Sequence, residues 1–187
     1  MNVIQDTDKQ YDKVIDQCKE IFEAKTKDYG TAWRVLRTIS VIDQIYIKAQ
    51  RIRTIQEKGQ QKIQDNIVSE WIGIINYAII GNIQLVLPAE APEELEPAEA
   101  VHLYNTQANE AKKLMTDKNH DYGEAWRNMS QESFVDLILM KLQRIRQIIT
   151  NEGKTLISEG IDANFFDIIN YGVFAMILIN ERNRNFN

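Results

Sequence analysis

KTKDYGTAWR at residues 25–34 returns 93 residues later as KNHDYGEAWR at 118–127. At this offset, positions 11–55 share 18 identities with their 45 counterparts. One inserted residue then shifts the offset to 94, at which IINY of 74–77 is repeated at 168–171. Self-similarity in this order predicts a tandem duplication. We place the boundary near residue 90, with the first repeat at 1–90 and the second at 91–187.

A proline-rich and acidic segment separates the two copies. The segment LPAEAPEELEPAEA holds all three prolines of the chain and five glutamates. Such a composition is typical of an exposed connector.

Each copy shows helical periodicity and no strand pattern. In the first helix, apolar residues recur at the spacing of one buried face, from Tyr11 to Phe22. Gly30 and Gly123 directly follow this pattern, which predicts a left-handed cap and a turn at Asp-Tyr-Gly. A second helix is predicted from about Val41 to Glu57.

A third helix, from about Ile67 to Leu85, is apolar almost all round and should be central. The sequence therefore predicts an all-α fold. Two three-helix units would pack about a pseudo-two-fold axis into one helical bundle. A loose pair of modules remains open.

Charge and composition narrow the choice of partners. The formal net charge of −5 argues against long nucleic acid and against an anionic membrane surface. The longest apolar stretch is interrupted by polar residues and is too short for a spanning helix, so no membrane partner is expected. A single cysteine, Cys18, fits a cytoplasmic location. A homo-oligomer is left open.

Several basic residues lie where a helix should be apolar. Lys48 shares its stripe with isoleucines three residues before it and four and seven residues after it, and Lys141 repeats this arrangement. Either their stems cover apolar surface while their ammonium groups reach water, or they pair with Asp28 and Asp121, or they converge on a phosphate. The predicted phosphate-binding residues are Lys25, Lys48, Arg51, Lys118, Lys141 and Arg144.

Polar residues near the lysines and inside the third helix are candidates for contacts to a base. A carboxamide among isoleucines needs hydrogen-bond partners, either on a neighbouring helix or on a ligand. The tyrosines could stack on a ring or fill the core. The predicted base or substrate contacts are Asp28, Tyr29, Asn76, Tyr77, Asp121, Tyr122, Asn170 and Tyr171.

Two acids in the third helices are candidates for a metal. Asp167 lies between bulky apolar residues, and a buried carboxylate usually has a cation beside it. Its counterpart in the first copy is Gly73, whereas Glu70 of the first copy corresponds to Asn164. We predict Asp167 and Glu70 as metal ligands.

The combination of D-Y-G-x-A-W, K-x-Q-R-I-R and D-I-I-N-Y resembles the nucleotide modification associated domain 1 family, here in two tandem copies. This resemblance implies a role in modified-nucleotide metabolism. It also implies a more distant similarity to MazG-type all-alpha nucleoside triphosphate pyrophosphatases, which hold Mg²⁺ with helical carboxylates. Only Glu70 in one copy and Asp167 in the other match that carboxylate pattern.

The resulting expectation is a protein that binds a nucleotide or modified nucleotide, with Mg²⁺-dependent pyrophosphohydrolysis left open as an added activity. No catalytic residue is assigned. The alternatives are a non-catalytic helical interaction module and a module that senses a nucleotide without turning it over.

Overall fold

The computed structural model describes residues 6–59, 67–156 and 159–185, and this part of the chain contains six α-helices and no strand. The three helices of the first copy are α1 (Thr7–Tyr29), α2 (Thr38–Lys58) and α3 (Ile67–Val86). Those of the second copy are α4 (Pro97–Tyr122), α5 (Gln131–Thr150) and α6 (Ile161–Asn185). A single 3₁₀ turn follows α1 at Ala32–Val35, and its counterpart follows α4 at Ala125–Asn128. The predicted all-α fold with two matching units is confirmed.

The first helix of each copy begins and ends for identifiable reasons. Asp6 accepts a hydrogen bond from the Lys9 backbone N–H at the start of α1, and Pro97 occupies the first turn of α4, where its missing N–H costs nothing. Both helices stop at a glycine with φ of 60°.

The predicted Asp-Tyr-Gly turn is wrong in one respect. Asp28 and Tyr29 lie within the last turn of α1, because the Gly30 N–H still donates to the Thr26 carbonyl at 2.9 Å. Gly30 has ψ of −145°, which is also not the left-handed helical cap that the sequence suggested. The chain thus leaves the helix two residues later than predicted and in a different direction.

The core is continuous across the two copies. Helices α3 and α6 pack against each other at the centre, and the remaining helices surround this pair. Buried side chains of both copies form one cluster, which excludes a loose pair of modules. One described helix, α6, is long and apolar enough to cross a membrane by length and composition, but 72% of its most apolar window is buried in the protein. Its composition is therefore accounted for by its place in the core.

The connector is held against the first copy. Thr31 donates its hydroxyl hydrogen to the Glu93 carbonyl at 2.8 Å and accepts from the Leu95 N–H at 2.9 Å. Arg34 donates to the Ala91 and Pro92 carbonyls, both at 3.1 Å. These bonds fix the path between the copies although most connector side chains are exposed.

Two reciprocal hydrogen bonds join the copies at the centre. Tyr11 donates to the Asn170 side-chain oxygen at 2.7 Å, and Tyr104 donates to the Asn76 side-chain oxygen at 2.8 Å. Each phenol comes from one copy and each amide from the other, as an approximate two-fold axis requires. Burial raises the pKa of both Tyr11 and Tyr104, so the phenols stay neutral donors.

Removing either phenol should destabilise the bundle by a similar amount. Tyr11→Phe and Tyr104→Phe each leave a buried amide oxygen without its donor, which should lower the free energy of unfolding by about 1–3 kcal/mol. Urea denaturation of both variants measures this, with Tyr46→Phe on the surface as the control that should change stability by less than about 0.5 kcal/mol. Equal stability of all three variants would show that the buried bonds contribute nothing.

Candidate functional site

A cavity of about 590 Å³ opens in the first copy among α1, the following 3₁₀ turn, α2 and α3. Phe22, Trp33 and Tyr77 contribute aromatic side chains to its wall, and Tyr29 stands at its edge with 71% of its surface exposed. Lys25, Lys48, Glu70 and Asn76 contribute charged and polar groups. Its volume lies within the range of small-ligand pockets.

The basic residues of the first copy are arranged around one acid. Lys48 approaches Glu70 with 3.6 Å between Nζ and Oε2, and Arg51 bonds the other carboxylate oxygen. Glu70 is buried, whereas the lysine and arginine side chains are 27% and 28% exposed. Glu70 therefore pairs with two cations, whereas Lys25 lines the same cavity without an ion pair to Glu70.

Lys25 differs from the other two cations. It is exposed at the edge of the cavity, and no described carboxylate pairs with it. An exposed ammonium group beside an apolar wall can bind an incoming anion without first breaking an internal ion pair.

In the second copy the equivalent lysines are occupied by an internal acid. Lys118 donates to Asp167 Oδ1 at 2.7 Å, and Lys141 donates to Oδ2 at 2.6 Å. Partial burial lowers the pKa of Lys118, but the hydrogen bond and charge of Asp167 outweigh burial, so the net pKa lies above its ordinary value. The Lys118 side chain is 45% exposed, whereas Lys141 and Asp167 are buried.

The aromatic residues of the second copy also pack differently. Trp126 is buried and stacks on Phe174, with 4.2 Å between ring centroids and 6° between planes. Its counterpart Trp33 is partly exposed and lines the cavity. Neither tryptophan is among the site residues predicted from the sequence, so Trp33 is a residue of the cavity that the prediction lacks. The shared motif D-Y-G-x-A-W contains both tryptophans and does not separate them.

The predicted partners of the lysines were wrong. Asp28 and Asp121 are exposed and pair with no lysine in the described part of the chain; the only partner of Asp121 there is its neighbour His120. The acids that pair with the lysines come from the third helix of each copy, Glu70 and Asp167. A helical wheel shows which face a lysine occupies but not which neighbouring helix supplies its partner.

Two predicted base contacts are already engaged inside the protein. The Asn76 side-chain N–H donates to the Cys18 carbonyl at 2.9 Å, and the Asn170 side-chain N–H donates to the Ala111 carbonyl at 3.0 Å. Together with the phenol bonds, these contacts employ both ends of each carboxamide. The Asn residues therefore tie the helices together, and Asn76 forms part of the floor of the cavity.

The remaining predicted residues lie apart from the cavity. Tyr122 is 78% exposed, and Arg144 is exposed with no carboxylate partner among the described residues. Tyr171 is half-buried near Asp167; burial and that negative charge raise its pKa. The structure thus brings part of the predicted set together: Lys118 and Lys141 meet at Asp167, and the cavity of the first copy is lined by Lys25, Tyr29, Lys48, Glu70, Asn76 and Tyr77.

The acids do not fit Mg²⁺. Hard divalent cations take six or more oxygen ligands. Asp167 has an ammonium group on each oxygen, and Glu70 is shared by Lys48 and Arg51. No group of three or more His, Cys, Asp or Glu side chains in the described residues could hold a metal. In this structure, therefore, both candidate acids pair with cations of the protein and do not form a set of free oxygen ligands.

A family model described as nucleotide modification associated domain 1 matches residues 25–85 and again residues 118–179. These two segments cover more than half of the chain and contain the lysines, acids and asparagines discussed above. The chain therefore belongs to the nucleotide modification associated domain 1 family, as two tandem copies. No curated protein and no solved structure matches it significantly.

Proposed function

We propose that this protein binds a nucleotide in the cavity of the first copy, without metal-dependent hydrolysis. The observation that supports this proposal most strongly is the combination, in one cavity, of an unpaired lysine with an aromatic wall. Family membership supplies the ligand class, because the family description refers to nucleotide modification.

The charged and the aromatic side chains that line the cavity suit the phosphate and the base of a nucleotide, respectively. Lys25 and Lys48 would donate charge-assisted hydrogen bonds to phosphate oxygens. Phe22, Trp33 and Tyr77 would pack against the base, and aromatic packing of this kind tolerates modified bases because every base has a π-face. In the absence of ligand, the ion pairs with Glu70 hold Lys48 and Arg51 in position.

A pyrophosphohydrolase of the MazG type is a less favourable interpretation of the same site. That reaction relies on carboxylates that are free to hold Mg²⁺ against a triphosphate. Here the two candidate carboxylates are engaged by lysine and arginine, and they belong to different copies. Binding or sensing of a nucleotide requires neither acid to be free.

A thermal-shift screen tests this proposal. Common ribo- and deoxyribonucleoside mono- and triphosphates, and base-modified forms, should raise the melting temperature by about 5 °C at 100 times the dissociation constant. The shift should be equal in EDTA and in Mg²⁺, and no pyrophosphate should be released. Absence of any shift would contradict nucleotide binding, whereas a shift that requires Mg²⁺ and releases pyrophosphate would establish the hydrolase.

A further inference from the structure

In the second copy, the carboxylate of Asp167 binds the two lysines as the anion of a ligand would. The two carboxylate oxygens of Asp167 each take one ammonium group, at 2.7 Å and 2.6 Å. A phosphate group offers oxygens at a similar spacing and with the same sign of charge. Asp167 therefore shows where an anion lies when a pair of lysines on the first and second helices of one copy binds it.

The same position in the first copy is Gly73, which has no side chain of its own, and the end of Lys48 covers it. A β-carbon added there would lie 2.6 Å from Lys48 Cε and 3.1 Å from its Nζ. The end of Lys48 thus lies directly over the glycine, in the space that an acid would enter. Lys25, the counterpart of Lys118, lines the same cavity.

The acid that pairs with the lysines lies one helical turn apart in the two copies. The first copy has Glu70 followed by Gly73, whereas the second has Asn164 followed by Asp167. Glu70 engages Lys48 and Arg51 and does not reach Lys25. Because of this shift, the acid pairs with both lysines in the second copy but with only one of the two in the first copy.

We infer that a phosphate group of the bound nucleotide lies above Gly73 between Lys25 and Lys48, at the position of the Asp167 carboxylate in the second copy, with the flexible end of Lys48 moved aside to donate to it. The second copy is then a latent anion site that its own Asp167 fills. This inference rests on the proposed function and adds the position of the phosphate and the inequality of the two copies.

Moving the acid into the first copy tests the position. Gly73→Asp should pair with Lys25 and Lys48 and weaken binding about 20-fold, for both inorganic phosphate and the nucleotide with the largest thermal shift. Lys48 can move aside because its end is flexible, so the variant should fold. Gly73→Ala, the matched control without a charge, should bind within about threefold of the wild type. Binding by Gly73→Asp within threefold of Gly73→Ala would overturn the inference.

Removing the acid from the second copy tests the latent site. In a Lys25→Met background, which disables the first site, Asp167→Ala leaves two lysines around an open space. At ten times the dissociation constant, inorganic phosphate should raise the melting temperature of this double variant by about 3 °C, or restore its helical circular dichroism if it is unfolded. Sodium chloride of equal ionic strength should not. An equal effect of chloride and phosphate, or no effect of either, would overturn the inference.

The two proposals fail in different ways. If the wild type binds no nucleotide but phosphate rescues the double variant, the proposed function fails and the latent anion site stands. If the wild type binds a nucleotide that Gly73→Asp does not weaken, nucleotide binding stands and the phosphate lies elsewhere.

Discussion

Replacing Asp167 with Asn should lower the free energy of unfolding by about 3 kcal/mol, because the change leaves a buried lysine without its counter-ion. Lys141 is buried beside Asp167 and donates to it at 2.6 Å. Lys118 is 45% exposed and can turn to water, which keeps the loss at the lower end for a buried pair. Asparagine keeps the shape of the side chain, so the decrease in the free energy of unfolding measures the effect of removing the charge.

Glu70→Gln is the matched control in the first copy. Its two cations are each more than a quarter exposed, so they regain water more easily and the loss should be about 1 kcal/mol. Urea denaturation of the two variants measures the difference. Equal losses, or a stable Asp167→Asn protein, would show that Asp167 is not the counter-ion that holds the second copy together.

Nucleotide binding should fall on the order of 100-fold when Lys25 and Lys48 are both replaced by Met. Each charge-assisted hydrogen bond to a phosphate contributes about 1.5–3 kcal/mol, and part of this loss is shared between neighbouring lysines. Methionine keeps the length and apolar stem of lysine. Glu70 retains Arg51 as a partner in this variant, so no buried acid is left unpaired.

Lys118→Met in the second copy is the control for this pair of substitutions. Lys118 already donates to Asp167, which keeps Lys141 as its partner, so nucleotide affinity should stay within about twofold of the wild type. Calorimetric titration compares the three proteins. Equal weakening by Lys118→Met would place the ligand in the second copy, against the proposal.

The fold could be predicted from the sequence to a large extent because the pattern of each helix occurs twice, once in each copy. Helix α3 ends at Val86, one residue after the predicted Leu85, and Gly30 and Gly123 mark the ends of their helices. Helix α2, by contrast, begins at Thr38, three residues before the predicted Val41. Periodicity detects the buried face, and Thr38 begins the helix before the first buried residue of that face.

The site could be predicted only in part. The apolar stripe correctly marked Lys48 and Lys141 as lysines held against the protein, but the acid partners lie on another helix, which spacing along one helix cannot reveal. The sequence predicts Asp167, an isolated acid among apolar residues, as a metal ligand. Its partners are two lysines, so the same desolvation argument is satisfied by a different cation.

The sequence predicts binding residues in both copies alike, whereas the structure opens a cavity beside Gly73 in the first copy. The absence of a side chain carries little signal in a sequence. Its meaning here depends on the position of Lys48 above the glycine.

A crystal structure of the protein with the nucleotide that gives the largest thermal shift tests nucleotide binding in the first copy most directly. We expect electron density for one nucleotide per chain. Its phosphate group should lie beside Lys25 and Lys48 above Gly73, and its base against Phe22 and Trp33. We also expect the second copy to be unchanged, with Asp167 still between its two lysines. A nucleotide bound at the second copy, or at any surface outside this cavity, would contradict the account.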